Sequence, residues 1–267
     1  KRTFIHFQPP LPFVKLNIKT KFKIKRIETF FCNSQFTKSY IDKEFGINSK
    51  VLYPPVENNS KEVKKGNIIL NVGRFRVKDV VTKSQREIEG IKDYKKQGVM
   101  IEAFKSMVKG GLANWKLIMA VSVKKEDETT FETLKSQAKN FPIEFLVNKR
   151  NDDLWDIYSK ARIYWHASGF GENLRTHPEY AEHFGISTVE AMGAGAVPVV
   201  INAGGQKEIV ENNINGFLWN SEKEFIKKTE ELISDANLWK KMSLAAMKRS
   251  KIFSEERFCR ELKELIR

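Results

Sequence analysis

From residue 67 onward, short apolar runs alternate with amphipathic stretches, and this alternation limits the fold more than any other feature of the chain. Asn67–Gly73 (NIILNVG), Trp115–Val121, Ile143–Val147, Arg162–His166, Ala196–Ile201 and Gly216–Trp219 read as strands. Between them, Gly98–Val108, Glu128–Asn140, Asp152–Lys160, Ser187–Gly193 and Gln206–Glu211 read as helices, with Asp152 a candidate cap. Three more helices follow, at Glu222–Ser234, Asn237–Arg249 and Glu255–Ile266. The nearly unbroken apolar run 67–73 suits a strand covered on both faces, as in a parallel sheet. Strands and helices in alternation therefore predict an α/β fold, a Rossmann-like parallel sheet flanked by helices. Residues 76–94 carry mixed charges without a clear period and read as an exposed loop or insertion.

The first 56 residues belong to something else. Thr3–Phe7 reads as a strand stopped by Pro9, Pro10 and Pro12. Ile27–Asn33 reads as a buried strand, and Ser34 is placed to cap a helix that ends at Gly46. Val51–Tyr53 is a further short strand before Pro54 and Pro55, and the charged stretch 57–66 marks the domain boundary. The Lys-rich segment 13–27 admits two readings: a solvated helix face around Phe13, Leu16, Phe22 and Ile27, or a patch for an anionic membrane or nucleic acid. The chain opens on Lys1-Arg2-Thr3-Phe4, which reads as the continuation of a preceding portion.

Composition removes several classes. With 41% hydrophobic and 30% charged residues in 267, fibrous and wholly disordered chains are excluded. Cys32 and Cys259 are too few for a disulfide scaffold. No apolar run reaches the ~20 residues of a membrane span. The formal charge of +14 points to anionic partners but specifies none.

The densest candidate chemistry lies in 167–208. Glu182 and Glu190 are eight residues apart, with Gly185 between them. If a helix starts near Gly185 or Ser187, its free N–H groups favour an anion such as phosphate, and a carboxylate beside it can accept from sugar or ribose hydroxyls. Ser187-x-x-Glu190 can equally be a capping box, and Glu182 an exposed loop acid. Ala203-Gly204-Gly205, after a strand, is either a close approach to ligand or an ordinary turn. Gly73-Arg74 places a guanidinium at a strand end, where it can hold phosphate bidentately, and Lys95 or Lys96 can join it. The histidines and cysteines form no metal motif, and no GxSxG elbow occurs.

Taken in order, these segments resemble the family-four retaining glycosyltransferases of GT-B architecture. Glu182-His-Phe-Gly-Ile-Ser-Thr-Val-Glu190 resembles their E-x7-E signature. Cys32–Thr37, Tyr53–Val56, Asn71–Phe75, Lys95–Phe104, Gly204–Val210 and Asn215–Leu218 match other parts of the pattern, across roughly residues 30–220. The loop 169–181 before Glu182 and the charged stretch after Arg74 are both longer than is usual there.

The resemblance implies a nucleotide-diphosphate sugar donor (UDP-, GDP- or ADP-sugar) and a glycan or lipid-linked acceptor, with no metal. Arg74 and Lys95 would hold the diphosphate, and Glu182 would contact donor-sugar hydroxyls without a covalent role. Glu190 would bind the ribose, and Val147 and Asn148 would lie near the base. The backbone at Gly185, Ile186 and Ser187 would face diphosphate and sugar. Residues 1–56 would be the last segments of an acceptor-side N-terminal domain plus linker, 57–250 the donor-binding domain, and 251–267 a helix packing toward the N-terminal domain. A cytoplasmic location, with peripheral membrane contact as an option, fits such an enzyme. Two other readings stay open: another GT-B enzyme, such as a nucleotide-sugar epimerase or a phosphorylase, and a basic nucleic-acid-binding module, for which no RNP, KH or zinc-finger pattern speaks.

Overall fold

A computed structural model describes residues 2–11, 16–76 and 94–266. The expected loop at 76–94 therefore lies, from 77 to 93, outside the described residues.

Two parallel sheets organise the chain. The first has three strands in the order β1 (Phe4–Phe7), β2 (Thr29–Cys32) and β3 (Lys50–Val51). Helix α1 (Ile18–Ile24) joins β1 to β2, and α2 (Gln35–Phe45) joins β2 to β3. The signals read for α2 act as expected. Ser34 Oγ accepts the Thr37 N–H at 3.0 Å, and Gly46 takes the left-handed conformation that ends the helix, at φ 64°.

Helix α1 has no buried residue, and Phe13 of the solvated-helix reading lies outside the described residues. Asn17 caps it, accepting the Thr20 N–H at 2.8 Å. Leu16, Thr20, Ile24 and Ile27 are half-buried, while Phe22 is exposed. Strand β3 is shorter than read, ending at Val51 ahead of the prolines.

The second sheet has six strands: β4 (Ile68–Arg74), β5 (Lys116–Ser122), β6 (Ile143–Val147), β7 (Ile163–His166), β8 (Val197–Ile201) and β9 (Phe217–Trp219). Their order is β6-β5-β4-β7-β8-β9, all parallel, which is the doubly wound Rossmann order. The order reverses between β4 and β7, opening a crevice at their carboxyl ends.

The helices that follow are α3 (Gln97–Lys109), α4 (Glu128–Gln137), α5 (Asn151–Lys160), α6 (Ile186–Gly193), α7 (Gln206–Ile209), α8 (Glu222–Ser234), α9 (Ala236–Ser250) and α10 (Glu255–Ile266). One core packs Met100 and Phe104 of α3 with Phe225 of α8 against Ile69 and Trp165. The other packs Trp155 of α5 and Met192 of α6 against Leu70 and Tyr164. Alternate residues of β4 and β7 thus face opposite cores, which is why those strands read as apolar throughout. Asp152 does not cap α5: the helix starts one residue earlier, with Arg150 at the cap position and no side-chain cap. Among the described residues, no helix is long and apolar enough to cross a membrane.

The two sheets are tied together across long sequence distances. Glu208 in α7 accepts the Gln35 and Phe36 N–H groups at 2.7 and 2.8 Å, so a carboxylate of the larger sheet's layer caps α2 of the smaller one. Arg257 in α10 donates to the Tyr53 carbonyl at 2.9 Å, and Arg2 donates to the carbonyl of Ile266 at 2.8 Å. Helix α10 therefore reaches back to the first sheet.

Candidate functional site

A cavity of about 850 Å³ lies between the two sheets, where the carboxyl ends of β4, β5 and β6 meet the start of α6. The first sheet contributes His6, Gln8 and Pro9 from the end of β1, and Asn33 from the end of β2. This is the crevice that a doubly wound sheet offers to a ligand.

Glu182 lines the cavity. Its Oε2 takes the Lys95 ammonium at 2.5 Å and the His166 Nε2 at 2.8 Å. Burial is the largest influence on this carboxyl and opposes its ionisation. The Lys95 charge and the His166 hydrogen bond together outweigh it and hold the carboxyl well below the usual range. Burial keeps His166 neutral by lowering its pKa, so Nε2 carries the proton it donates to Glu182. Both donors use the same oxygen; among the described residues, Oε1 has no hydrogen-bond partner.

The backbone of this segment is clamped by α7's approach. The Gly205 N–H donates to the Glu182 carbonyl at 2.8 Å. A Cβ on Gly204 would sit 2.3 Å from that carbonyl oxygen, and one on Gly205 would sit 2.5 Å from Phe184 Cα. The Gly-Gly pair thus serves backbone-to-backbone packing, with the Glu182 loop occupying the space a Cβ would need. Gly185 then turns at φ 123° into α6.

Among the described residues, no side chain caps α6. The capping-box alternative is therefore not realised: Glu190 Oε2 instead accepts from the Tyr158 hydroxyl at 2.7 Å, and Ser187 Oγ pairs with the Tyr164 hydroxyl at 2.7 Å. The first-turn amides, those of Ile186 and Ser187 included, keep their partial positive charge toward an incoming anion. Burial raises the Glu190 carboxyl and the Tyr158 hydrogen bond offsets part of this. Among the described residues, Glu190 Oε1 has no hydrogen-bond partner. Each acid of the pair thus has one oxygen held and one spare.

Arg74 closes β4 and lines the cavity with Lys95. The choice between the two lysines is geometric. Lys95 meets Glu182, whereas Lys96 adopts a left-handed backbone and pairs with Glu172 at 2.5 Å. At the far wall, Asn148 spends its side chain on the backbone of Val123, accepting at 2.9 Å and donating at 3.2 Å, and lines the cavity beside Leu146. Val147 is not among the lining residues and is 37% exposed. In a strand, neighbouring side chains point to opposite faces, and here Leu146 takes the inner one.

Sequence reasoning missed the support for this site. His166 was visible only as the end of a strand, and Tyr158 only as a helix residue. His183 lines the cavity, and its buried Nε2 has no hydrogen-bond partner among the described residues. Among the described residues, no group of three or more His, Cys, Asp or Glu is placed to hold a metal ion.

The opposite titration of the two acids makes a prediction. Glu182 has a depressed folded pKa, so its contribution to stability is present above the ordinary value of ~4.3 and is lost as pH falls through the folded one. Glu182→Gln is expected to lower the melting temperature at pH 6, with the gap to wild type closing progressively below pH 4. A gap independent of pH would mean that the Lys95 pair contributes nothing to stability.

The model of the glycosyl transferases group 1 family matches residues 88–249, more than half of the chain. A Dictyostelium discoideum GDP-Man:Man(3)GlcNAc(2)-PP-Dol alpha-1,2-mannosyltransferase is 28% identical over 239 residues, covering 84% of this chain and 43% of that protein. The human protein of the same name is 26% identical over 249 residues, covering 85% and 45%. The chain thus spans less than half the length of these curated relatives. Among solved structures, Anabaena HepE in complex with UDP superposes with a TM-score of 0.76 at 17% identity, over 100% of this chain and 72% of that one. The likeness extends to both sheets, so the fold is the two-domain GT-B arrangement, with a Rossmann-like sheet and part of an N-terminal domain. By the family match across most of its larger sheet, the chain belongs to the glycosyl transferases group 1.

Proposed function

We propose that this chain carries the donor-binding half of a retaining glycosyltransferase that moves a hexosyl group from a nucleotide-diphosphate sugar to a glycan or lipid-linked acceptor. One observation carries the reading: Glu182 and Glu190, each with a spare oxygen, line one cavity together with Arg74 and the uncapped start of α6.

Arg74, Lys95 and the amides at Gly185, Ile186 and Ser187 hold the diphosphate in this scheme. They also stabilise the charge that grows on it as the sugar leaves. The spare oxygen of Glu190 takes the ribose hydroxyls. The spare oxygen of Glu182 takes hydroxyls of the donor sugar. Glu182 is a poor nucleophile, because Lys95 and His166 already draw on its charge; its role is positioning and electrostatic support. The base lies toward Leu146 and Asn148. The relatives' names favour a GDP-sugar, GDP-mannose first, with UDP-sugars as the competing class.

Titration calorimetry of the full-length protein with GDP, UDP and ADP and their sugars tests this. One nucleotide diphosphate is expected to bind, and the binding is expected to persist in EDTA, since two side-chain cations already face the diphosphate. Loss on chelation would transfer charge neutralisation to a metal, and silence with all three nucleotides would remove the donor site. The anomeric configuration of the product, read by proton NMR, decides retention.

A further inference from the structure

His166 is a poor choice for a purely structural position. It closes β7 at 2% exposure, and its buried Nδ1 has no hydrogen-bond partner among the described residues. A buried polar atom without a partner lowers stability, so an apolar side chain would serve the fold better here. The ring's printed polar contacts are all made by Nε2, which lies 2.8 Å from Glu182 Oε2 and 3.3 Å from Ser168 Oγ. The carboxylate requires that Nε2 carry the proton, because a bare ring nitrogen would face it lone pair to lone pair.

Glu182 has a second tether, the Lys95 ammonium, on the same oxygen. The two tethers differ in kind. Lys95 lines the cavity on a long flexible stem, and a diphosphate bound there competes with Glu182 for its charge. His166 is a rigid ring at a strand end and does not line the cavity, so a ligand in the cavity cannot draw it away. We propose that His166 is the positioning residue of Glu182: it keeps hold of Oε2 when a bound donor draws Lys95 toward the diphosphate, and so keeps Oε1 turned to the donor sugar. The inference rests on the donor roles proposed for Glu182 and Lys95. The sugar is then recognised in part through a residue it never touches, while the grip on the nucleotide diphosphate is independent of His166.

The test compares His166→Leu with His166→Gln in the full-length protein. Leucine is apolar and close to histidine in volume, whereas the glutamine amide nitrogen reaches about as far as Nε2 and can donate to Glu182. Calorimetry reads the affinity for GDP and GDP-mannose, or for UDP and UDP-glucose, whichever pair wild type binds. His166→Leu is expected to bind the nucleotide diphosphate within about twofold of wild type and the sugar nucleotide roughly 10-fold or more weakly, the worth of one hydrogen bond to a charged group. His166→Gln is expected to recover most of that loss. A folded His166→Leu that loses affinity for both ligands equally, or for neither, would overturn the inference, and so would a His166→Gln no better than His166→Leu. Should His166→Leu not fold, His166→Asn, whose shorter amide stops short of Glu182, takes its place in the comparison. A wild type that binds no nucleotide would overturn the donor reading and this inference with it. A wild type that binds both ligands, beside a variant that binds them equally well, would overturn this inference alone.

Discussion

Gly205→Ala is expected to cost about 3 kcal/mol or more and to abolish nucleotide binding, although residue 205 does not line the cavity. The new Cβ would fall 2.5 Å from both Phe184 Cα and its carbonyl oxygen, and 2.6 Å from the His183 carbonyl oxygen. These are backbone atoms, so no rotamer change relieves the clash, and overpacking of this kind is worth roughly 1–3 kcal/mol before other losses. The Gly205 N–H bond to the Glu182 carbonyl would go as well, at about 1 kcal/mol. For a chain of this size the melting temperature is expected to fall by roughly 6–10 °C. Gly46→Ala is the control. It has φ 64° with nothing within 4 Å, so only the left-handed backbone cost of about 1–2 kcal/mol applies, with nucleotide binding intact. If Gly205→Ala melts like wild type and binds nucleotide, the Gly-Gly pair does not seat the Glu182 loop.

The second large effect is on affinity. Arg74→Ala removes a charge-assisted contact to phosphate, worth about 1.5–3 kcal/mol, and Glu190→Ala removes a carboxylate contact to ribose of similar size. If the two act independently, the double variant should bind a nucleotide diphosphate about 10²–10⁴-fold more weakly. Glu190→Ala alone should also erase the preference for ribose over 2′,3′-dideoxyribose nucleotides, which a purely structural role for Glu190 would leave in place. Arg74→Ala should keep a near-native melting profile, because Arg74 sits exposed at a strand end. Glu190→Ala leaves the buried Tyr158 hydroxyl without its partner, at a cost of about 1–3 kcal/mol, and should melt a few degrees lower while remaining folded.

Much of this arrangement was legible in the residues. The unbroken apolar strands gave the doubly covered sheet, Ser34 and Gly46 gave the ends of α2, and the spacing of Glu182 and Glu190 gave the pair of acids at a helix start. These are local signals, carried within a few residues. What escaped depends on segments far apart in the chain. Glu208 caps a helix more than 170 residues away, His166 and Lys95 converge on Glu182 from the end of β7 and from the turn before α3, and Gly204-Gly205 fit the backbone of 182–184. Nothing in a Gly-Gly dipeptide tells a ligand cradle from a packing contact until its partner is known.

The central claim is that the cavity between the sheets is a nucleotide-sugar donor site read by two acids and two cations. Calorimetric titration of GDP and UDP into the full-length protein, beside the Arg74→Ala/Glu190→Ala variant, tests it most directly. The expected result is saturable one-to-one binding of at least one nucleotide to wild type and a loss of two or more orders of magnitude in the folded variant. Binding of equal strength to both proteins, or to neither, would contradict it.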